Sequence, residues 1–411
     1  MVIRISDKTQ NYSKVTKLLV KPNKNPNVPN LRFSYKGDWS KRKLNEICLF
    51  FKGNGLSKSE LSNEGFPCIL YGELYTTYKN EVISDIISKT NTTLSNPFLS
   101  RNNDLIIPGS GEDPIDIAVT RAIYQNDIIL GGDLNILRPK SNVSAAFLSY
   151  QLNGVRRYDI AKKAQGKSIV HLHNSDLKEV LVSIPSYDEQ LHIVKLLTKI
   201  DEMIETQSKI IDDLLTVKNG ISNKLFKLQQ IELSNHYLFE YLIEGDKTAV
   251  DTSCYKKITV KLNNQGLAFS ELNREMADTR PFYVRHKGEL IIGKQNYFNG
   301  SIAIVTEQFD NCICSNAIMS FKIKGIYSDF LYYQISNNNY LNSQSYKANG
   351  TGQKELSEKE FLKFKIWCPQ LEVQQKIVNC FKSLDLKIEN EKAILNSYFQ
   401  EKSYLLNNMF I

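Results

Sequence analysis

From Gln190 to Leu228 the chain carries no proline and one glycine, Gly220, and its apolar residues follow a regular rhythm. Ile193, Leu197, Ile200, Ile204, Ile211, Leu214, Ile221, Leu225 and Leu228 are spaced by steps of four and three, with Gln207 and Lys218 in the two polar places. That period is a heptad seam. It predicts a helix of about 39 residues, about 58 Å long. Ile377, Phe381, Leu384, Ile388, Leu395, Tyr398, Leu405 and Met409 repeat the seam, with polar places at Glu391 and Lys402.

The two seams are copies. PSYDEQLHIV (185–194) and PQLEVQQKIV (369–378) keep proline, glutamine, isoleucine and valine in place at an offset of 184 residues (369 − 185). From Gly166 to Phe226 about 13 of roughly 61 positions are identical at that offset, Asp201/Asp385 and Lys218/Lys402 among them. Upstream, DLIIPGSG (104–111) matches ELIIGKQN (289–296), and AFLSYQL (146–152) matches DFLYYQI (329–335), with small shifts that imply loop insertions. A period this long is an internal duplication, not a solenoid.

An apolar stripe of such length needs a partner, and the simplest is its duplicate. Antiparallel pairing with residue numbers summing to 609 sets Leu214 against Leu395, Ile211 against Tyr398, Ile204 against Leu405 and Ile221 against Ile388. The polar places then meet as Lys218 with Glu391 and Gln207 with Lys402, and neighbouring registers would bury polar groups against aliphatic ones. The expected fold is α/β (α+β): two similar globular domains separated by two long antiparallel coiled-coil helices, with pseudo-two-fold repeat symmetry. The expected divisions are an N-terminal tail (1–35), a first domain (36–186), a central helix (187–232), a second domain (233–370) and a C-terminal helix (371–411).

Composition changes this picture little. The 411 residues are 42% hydrophobic and 23% charged, an ordinary globular balance, and the net charge of +8 permits a polyanionic partner. The seven cysteines include no Cys-x-x-Cys pair, and Cys312 and Cys314 share one face of a strand-like run, so they read as reduced core thiols of a cytoplasmic protein. The N-terminus lacks the apolar segment of a signal peptide, and no apolar run approaches membrane-spanning length.

GKSIVHLHNSDLKEVLVSIPSYDEQLHIVKLLTKIDEMI (166–204) resembles a characteristic region of type I restriction–modification specificity subunits: Gly-x5-Leu, a strand ending in proline, then Glu-Gln at the start of a long helix. NGTGQKELSEKEFLKFKIWCPQLEVQQKIV (349–378) resembles its second copy, and NVPNLRFSYKGDWSKRKLNEI (27–47) is similar to the opening of such chains. Two departures stand out. Glu189-Gln190 becomes Val373-Gln374, and the second domain has no counterpart of Trp39. The resemblance implies two target recognition domains, each reading half of a bipartite, asymmetric sequence in double-stranded DNA. It implies helices that hold the spacing and dock two methyltransferase subunits, with restriction/translocase subunits joining them. It implies no catalytic residue and no cofactor here, with S-adenosylmethionine, ATP and Mg on the partner subunits. A coiled-coil scaffold that binds protein and not DNA is the alternative.

Motifs for chemistry in this chain are thin. FKGNG (51–55) fits a short S-adenosylmethionine-loop pattern, but no two prolines are adjacent, so its Asn/Asp-Pro-Pro-aromatic partner is missing. AKKAQGKS (161–168) fits a relaxed phosphate-loop pattern without the strand before it or the helix after it. His171 and His173 lack a third metal ligand nearby in sequence. For DNA contact the densest donor–acceptor set is Lys294, Gln295, Asn296 and Tyr297 in GKQNYFNG, where a solvated turn is the plain alternative. Further candidates are Lys58, Tyr75, Thr76, Ser110, Arg121, the basic group Lys162, Lys163 and Lys167, and Lys347 and Lys354. Glu112 and Asp113 would repel phosphate unless they accept from cytosine amino groups.

Overall fold

A computed structural model describes residues 26–93, 95–270, 280–345 and 355–411. The chain divides into two compact units, one of residues up to 208 together with 393–411, the other of residues 209–392. Each is described by itself.

In the first unit the central sheet orders its strands Cys48–Lys52, Leu134–Pro139, Asp104–Pro108, Arg121–Ile123 and Val82–Ile83. All neighbours are antiparallel except the last two, which are parallel. The LII run is unbroken because both faces of its strand are covered. Leu105 and Ile107 join one core cluster with Leu137 and Leu148, while Ile106 joins another with Ile123, Leu134 and Ile136. In the second unit the order is Leu242–Glu244, Ile318–Ile323, Leu290–Gly293 and Ile302–Ile304, all antiparallel. Leu290 and Ile292 again face one cluster and Ile291 the other. The matched LII segments are therefore the same strand of the same sheet.

The repeat extends to individual hydrogen bonds. Gln190 donates to Pro185 O at 3.1 Å and accepts from Ser144 N at 2.9 Å. Gln374 donates to Pro369 O at 2.7 Å and accepts from Tyr327 N at 2.9 Å. Gln151 pairs with both backbone groups of Ser183, and the Gln334 carboxamide lies against the N–H and C=O of Trp367, where turning the amide over makes the same two bonds. The leucines of the Gly-x5-Leu pattern, Leu172 and Leu356, are buried and donate their N–H groups to Gly109 O and Lys294 O, each at 2.9 Å. These amides and leucines clamp each sheet to the root of the following helix, which explains why they persist while the loops diverge.

The long helices run Tyr187–Leu225 and Leu371–Asn408. The first breaks after Leu225, and a short helix follows at Leu228–Glu232, so the expected single element 187–232 is two. Of the seam, Ile204, Ile211, Ile388 and Leu405 are buried, and Leu214, Ile221, Leu395 and Tyr398 are half-buried. Ile204 and Leu405 fall in one cluster. The described ion pairs differ from expectation. Lys218 meets Asp385, and Lys402 meets Asp201, each six residues from the Glu391 and Gln207 anticipated. For the largely buried Lys402 ammonium, a carboxylate is a stronger partner than a carboxamide.

Residues 26–35 pack against the rest of the first unit. Leu31 N donates to Asn408 O at 2.8 Å, and Leu31 and Phe33 pack on the cluster of Trp39, Phe147, Leu197 and Phe410. Arg32 grips Glu189 with two 2.7 Å bonds, and the Trp39 indole reaches the same carboxylate at 3.3 Å. The two departures noted in the sequence are therefore one change. Glu189 needs Arg32 and Trp39. In the second unit Leu233 stands five residues before Leu238, as Trp39 stands before Leu44, but it is 78% exposed, and Val373 replaces the glutamate. No helix among the described residues is long and apolar enough to cross a membrane.

Candidate nucleic-acid interface

In the second unit two polar turns lock together. The first links the strands Ile258–Val260 and Leu267–Phe269. Asn263 and Asn264 have φ of 55° and 57°, and Gln265 N donates to Leu262 O at 3.2 Å, which makes a type I′ turn. The second turn follows the strand Leu290–Gly293. Asn263 N donates to Asn299 O at 2.8 Å, and Asn264 N donates to Gly300 O at 2.9 Å. Gly300 has φ 73°, and a Cβ there would sit 2.9 Å from Asn264 N, so glycine permits the close approach.

Tyr297 plugs this assembly into the core. Its ring is wholly buried against Phe361 and Phe364, and its hydroxyl donates to Ile335 O at 2.9 Å. Burial pushes its pKa well up. It cannot touch DNA, which corrects the sequence reading: the aromatic ring is the anchor of the turn and not its reading tip. Gln295, Asn296 and Asn299 of the second turn, and Asn263 and Gln265 of the first, remain exposed. Sequence reading missed Asn263 and Gln265, although an Asn-Asn-Gln-Gly tip between two apolar runs was the available signal.

Lys294 of the same loop is half-buried and turns to a cleft of 220 Å³ lined by Lys247, Arg285, Tyr283, Asn316 and Glu358. Its ammonium lies 3.6 Å from Glu358, which also pairs with Lys247. The Arg285 guanidinium is buried, donating to Cys314 Sγ, Asp246 O and Val284 O. Lys247 pairs with Glu244 as well as with Glu358, so three cations stand against two carboxylates, a small positive excess that suits a backbone phosphate. Lys347 and Lys354 lie outside the described residues.

In the first unit the candidates sort by burial. Lys58, Thr76, Lys162 and Lys167 are exposed, and Tyr75 and Lys163 are half-buried. Ser110 is buried and donates to Asp133 Oδ2 at 3.2 Å, so it leaves the interface. Arg121 is also buried: its guanidinium donates to Leu74 O, Thr120 O and Tyr78 O. Burial lowers its pKa, though Glu81 opposes the effect. The sequence reading counts both as DNA contacts, and the structure corrects it: both are fixed inside the unit because the loop after the strand folds inward here. The strand Ser110–Gly111 pairs with Val170–His171, which forms a hairpin with Gln165–Gly166. Lys167 therefore sits at a hairpin tip, and the phosphate-loop pattern is a turn with Gly166 at φ 140°. The Tyr75 hydroxyl approaches this sheet, 3.8 Å from a Cβ built on Gly111. Asp113 caps the short helix Pro114–Ile117, accepting from Ile115 N at 2.7 Å. FKGNG extends the strand Cys48–Lys52, and Asn54 is bound to Asn96 O and Phe98 N. His171 and His173 stack 6.2 Å apart, and the described residues hold no group of three metal-ligating side chains.

Behind the first unit's sheet is a buried charge cluster. Lys402 pairs with Glu81 at 2.6 Å and Asp201 at 2.7 Å, and Tyr150 donates to Asp201 at 2.6 Å. Burial raises the Asp201 pKa, and Lys402 restrains it. Burial works against the Lys402 ammonium, but Glu81 and Asp201 outweigh it and hold its pKa above the ordinary lysine value. The second unit repeats the motif as Lys218, Asp385 and Tyr333, without a counterpart of Glu81 among the described residues.

Comparison with known proteins agrees with this frame. The family model for the type I restriction modification DNA specificity domain matches twice, at residues 36–216 and 222–397. The MjaVIII specificity subunit of Methanocaldococcus jannaschii is 22% identical over 407 residues, covering 90% of this chain and 91% of that one. The putative MjaX specificity subunit of the same organism is 23% identical over 415 residues, covering 90% and 92%. The crystal structure of the type I restriction–modification S subunit from M. genitalium superposes with a TM-score of 0.58 at 17% identity, covering 93% of this chain and 99% of that one. With two matches of the family model spanning most of its length, the chain belongs to the specificity subunits of type I restriction–modification systems.

Proposed function

We propose that each unit reads one half of a bipartite, asymmetric target in double-stranded DNA, and that the chain delivers this specificity to two methyltransferase subunits and to restriction/translocase subunits. The observation that carries the reading is the contrast inside the repeat. The clamps made by Gln190 and Gln374, and by Gln151 and Gln334, are kept. The tips differ: an inward-folded strand at Ser110–Gly111 in one unit, an amide-rich double turn in the other. A duplicated binder of one ligand has no reason to diverge at its tips while preserving its frame. Two recognition domains for two different half-sites do.

In this reading Lys294 with Lys247, and Lys58, Lys162 and Lys167, contact phosphates, while the exposed amides face base edges. Phosphate contacts set register and salt dependence, and base contacts set sequence. The residue ranges 36–186 and 233–370 serve as the two recognition domains, and the outer faces of the long helices dock the partner subunits. Exposed Leu371, Leu386, Phe399 and Tyr404 supply apolar area for that purpose. Catalysis, with its S-adenosylmethionine, ATP and Mg, resides in the partners.

The test is modified-base sequencing of the genome with the gene intact and deleted. Loss of N6-methyladenine from one split motif with a fixed gap supports the reading. Unchanged methylation in a strain whose methyltransferase subunits are expressed refutes it.

A further inference from the structure

We propose that the double turn of the second unit reads adenine, through the carboxamides of Asn263, Gln265 and Gln295, so that the half-site of this unit carries A·T pairs beneath the turn. The proposal rests on the DNA-reading function above and specifies its chemistry.

Three observations carry it. First, the side chains of Asn263, Gln265 and Gln295 are exposed and make no hydrogen bond to the described residues, so donors and acceptors are both available. Second, the two turns, 261–266 and 294–300, contain no arginine. Their two cations divide: Lys294 is directed to the cleft with Glu358, leaving Lys261 at the strand end. In the major groove guanine offers two acceptors, which suit arginine or lysine, whereas adenine offers the N7 acceptor beside the N6 donor. A planar carboxamide matches that pair with its own donor and acceptor. Third, the backbone beneath is fixed. The N–H groups of Asn263 and Asn264 are bound across to Asn299 and Gly300, and Tyr297 holds the second turn in the core. A merely solvated hairpin tip has no need of that bracing, whereas a reading tip loses less entropy on binding when its backbone is already ordered.

The experiment assembles the full chain with its methyltransferase subunits and selects bound duplexes from a randomised pool. Wild type is compared with N263G, Q265A, Q295A and K294A. Glycine is used at 263 because it keeps the positive φ of the turn. The expected result is a split motif in which an A·T position of one half loses its preference, by about 5- to 150-fold, in at least one of the first three variants. K294A should weaken binding to all sequences alike and leave the motif intact. Circular dichroism melts matched to wild type show that each variant is folded, and Gln295→Glu, which keeps the shape but removes the donor, repeats the test at that position. An unchanged motif in all the amide variants, or loss of preference at a G·C position, overturns the adenine assignment while leaving DNA recognition in place. A wild-type pool with no enriched motif overturns the DNA-reading function itself.

Discussion

The duplicated lysine–aspartate pair offers an experiment with its own control. Lys402 and Lys218 are the same residue of the repeat, and so are their partners Asp201 and Asp385. Their surroundings differ. The Lys402 and Asp201 side chains are 15% and 5% exposed, and Glu81 adds a second buried carboxylate, whereas Lys218 and Asp385 are 27% and 34% exposed. Lys402→Met keeps the length of the side chain and removes the charge. It leaves two buried carboxylates without a cation, which costs about 3–5 kcal/mol in buried pairs. Lys218→Met leaves Asp385 in contact with water and the Tyr333 hydroxyl, and should cost about 0–1 kcal/mol. The two tryptophans make the assay local, since Trp39 belongs to the first unit and Trp367 to the second. Urea unfolding followed by Trp39 fluorescence in a W367F background reports the first unit, and Trp367 in a W39F background reports the second. The pH dependence adds a signed check. The folded pKa of Asp201 is raised by burial, and Lys402 is what restrains it. Without Lys402 the folded state holds a proton on Asp201 at pH values where the unfolded chain has lost it. Stability then rises as pH falls through that window, because the folded state binds more protons. The K402M deficit should therefore shrink as pH falls from neutral toward the ordinary carboxylate range. Equal costs for the two variants, or a K402M deficit that grows on acidification, would refute the reasoning.

Other outcomes follow from the same geometry. Tyr297→Ala should cost about 3–5 kcal/mol by opening a core cavity, and Tyr297→Phe about 1 kcal/mol for the bond to Ile335 O, both read by urea unfolding of the second unit. Arg32→Met should destabilise the first unit by about 3–5 kcal/mol, because Glu189 is buried and loses its guanidinium; the double variant with Glu189→Met should recover part of that loss. Burial pushes Cys48 up to about 12 and Cys68 up to about 11, so thiolate is scarce at pH 8. Mass mapping after brief treatment with a disulfide reagent should find exposed Cys254 and Cys380 modified and Cys48 and Cys68 intact. Lys294→Ala should reduce the slope of log affinity against log salt by about one.

What was legible in the sequence was periodic or duplicated. The heptad steps marked both long helices to within a few residues of their observed ends, because a seam must recur at fixed spacing to stay on one face. The LII runs marked the central strands, because a strand covered on both faces has no polar alternation. The candidate site was legible only in part. Gln295 and Asn296 stand on the surface where the loop placed them, but Tyr297, Ser110 and Arg121 are inside. A polar or aromatic residue in a loop looks the same in sequence whether it faces solvent or pins the loop to the core.

The sequence by itself determined the duplication, the two helices and the strand at the heart of each unit, since these depend on local periodicity and on identity at a fixed offset. Only the tertiary structure decided which charges meet. Lys402 is bound by Asp201 from the other helix and by Glu81 from the recognition part, a partner 321 residues away that no seam pattern contains. It also decided which residues could form a reading surface. Asn263 and Asn299 are more than thirty residues apart, and they become neighbours because two backbone hydrogen bonds and one glycine let their turns touch. Contacts of that kind follow from chain closure in three dimensions, to which linear spacing is blind.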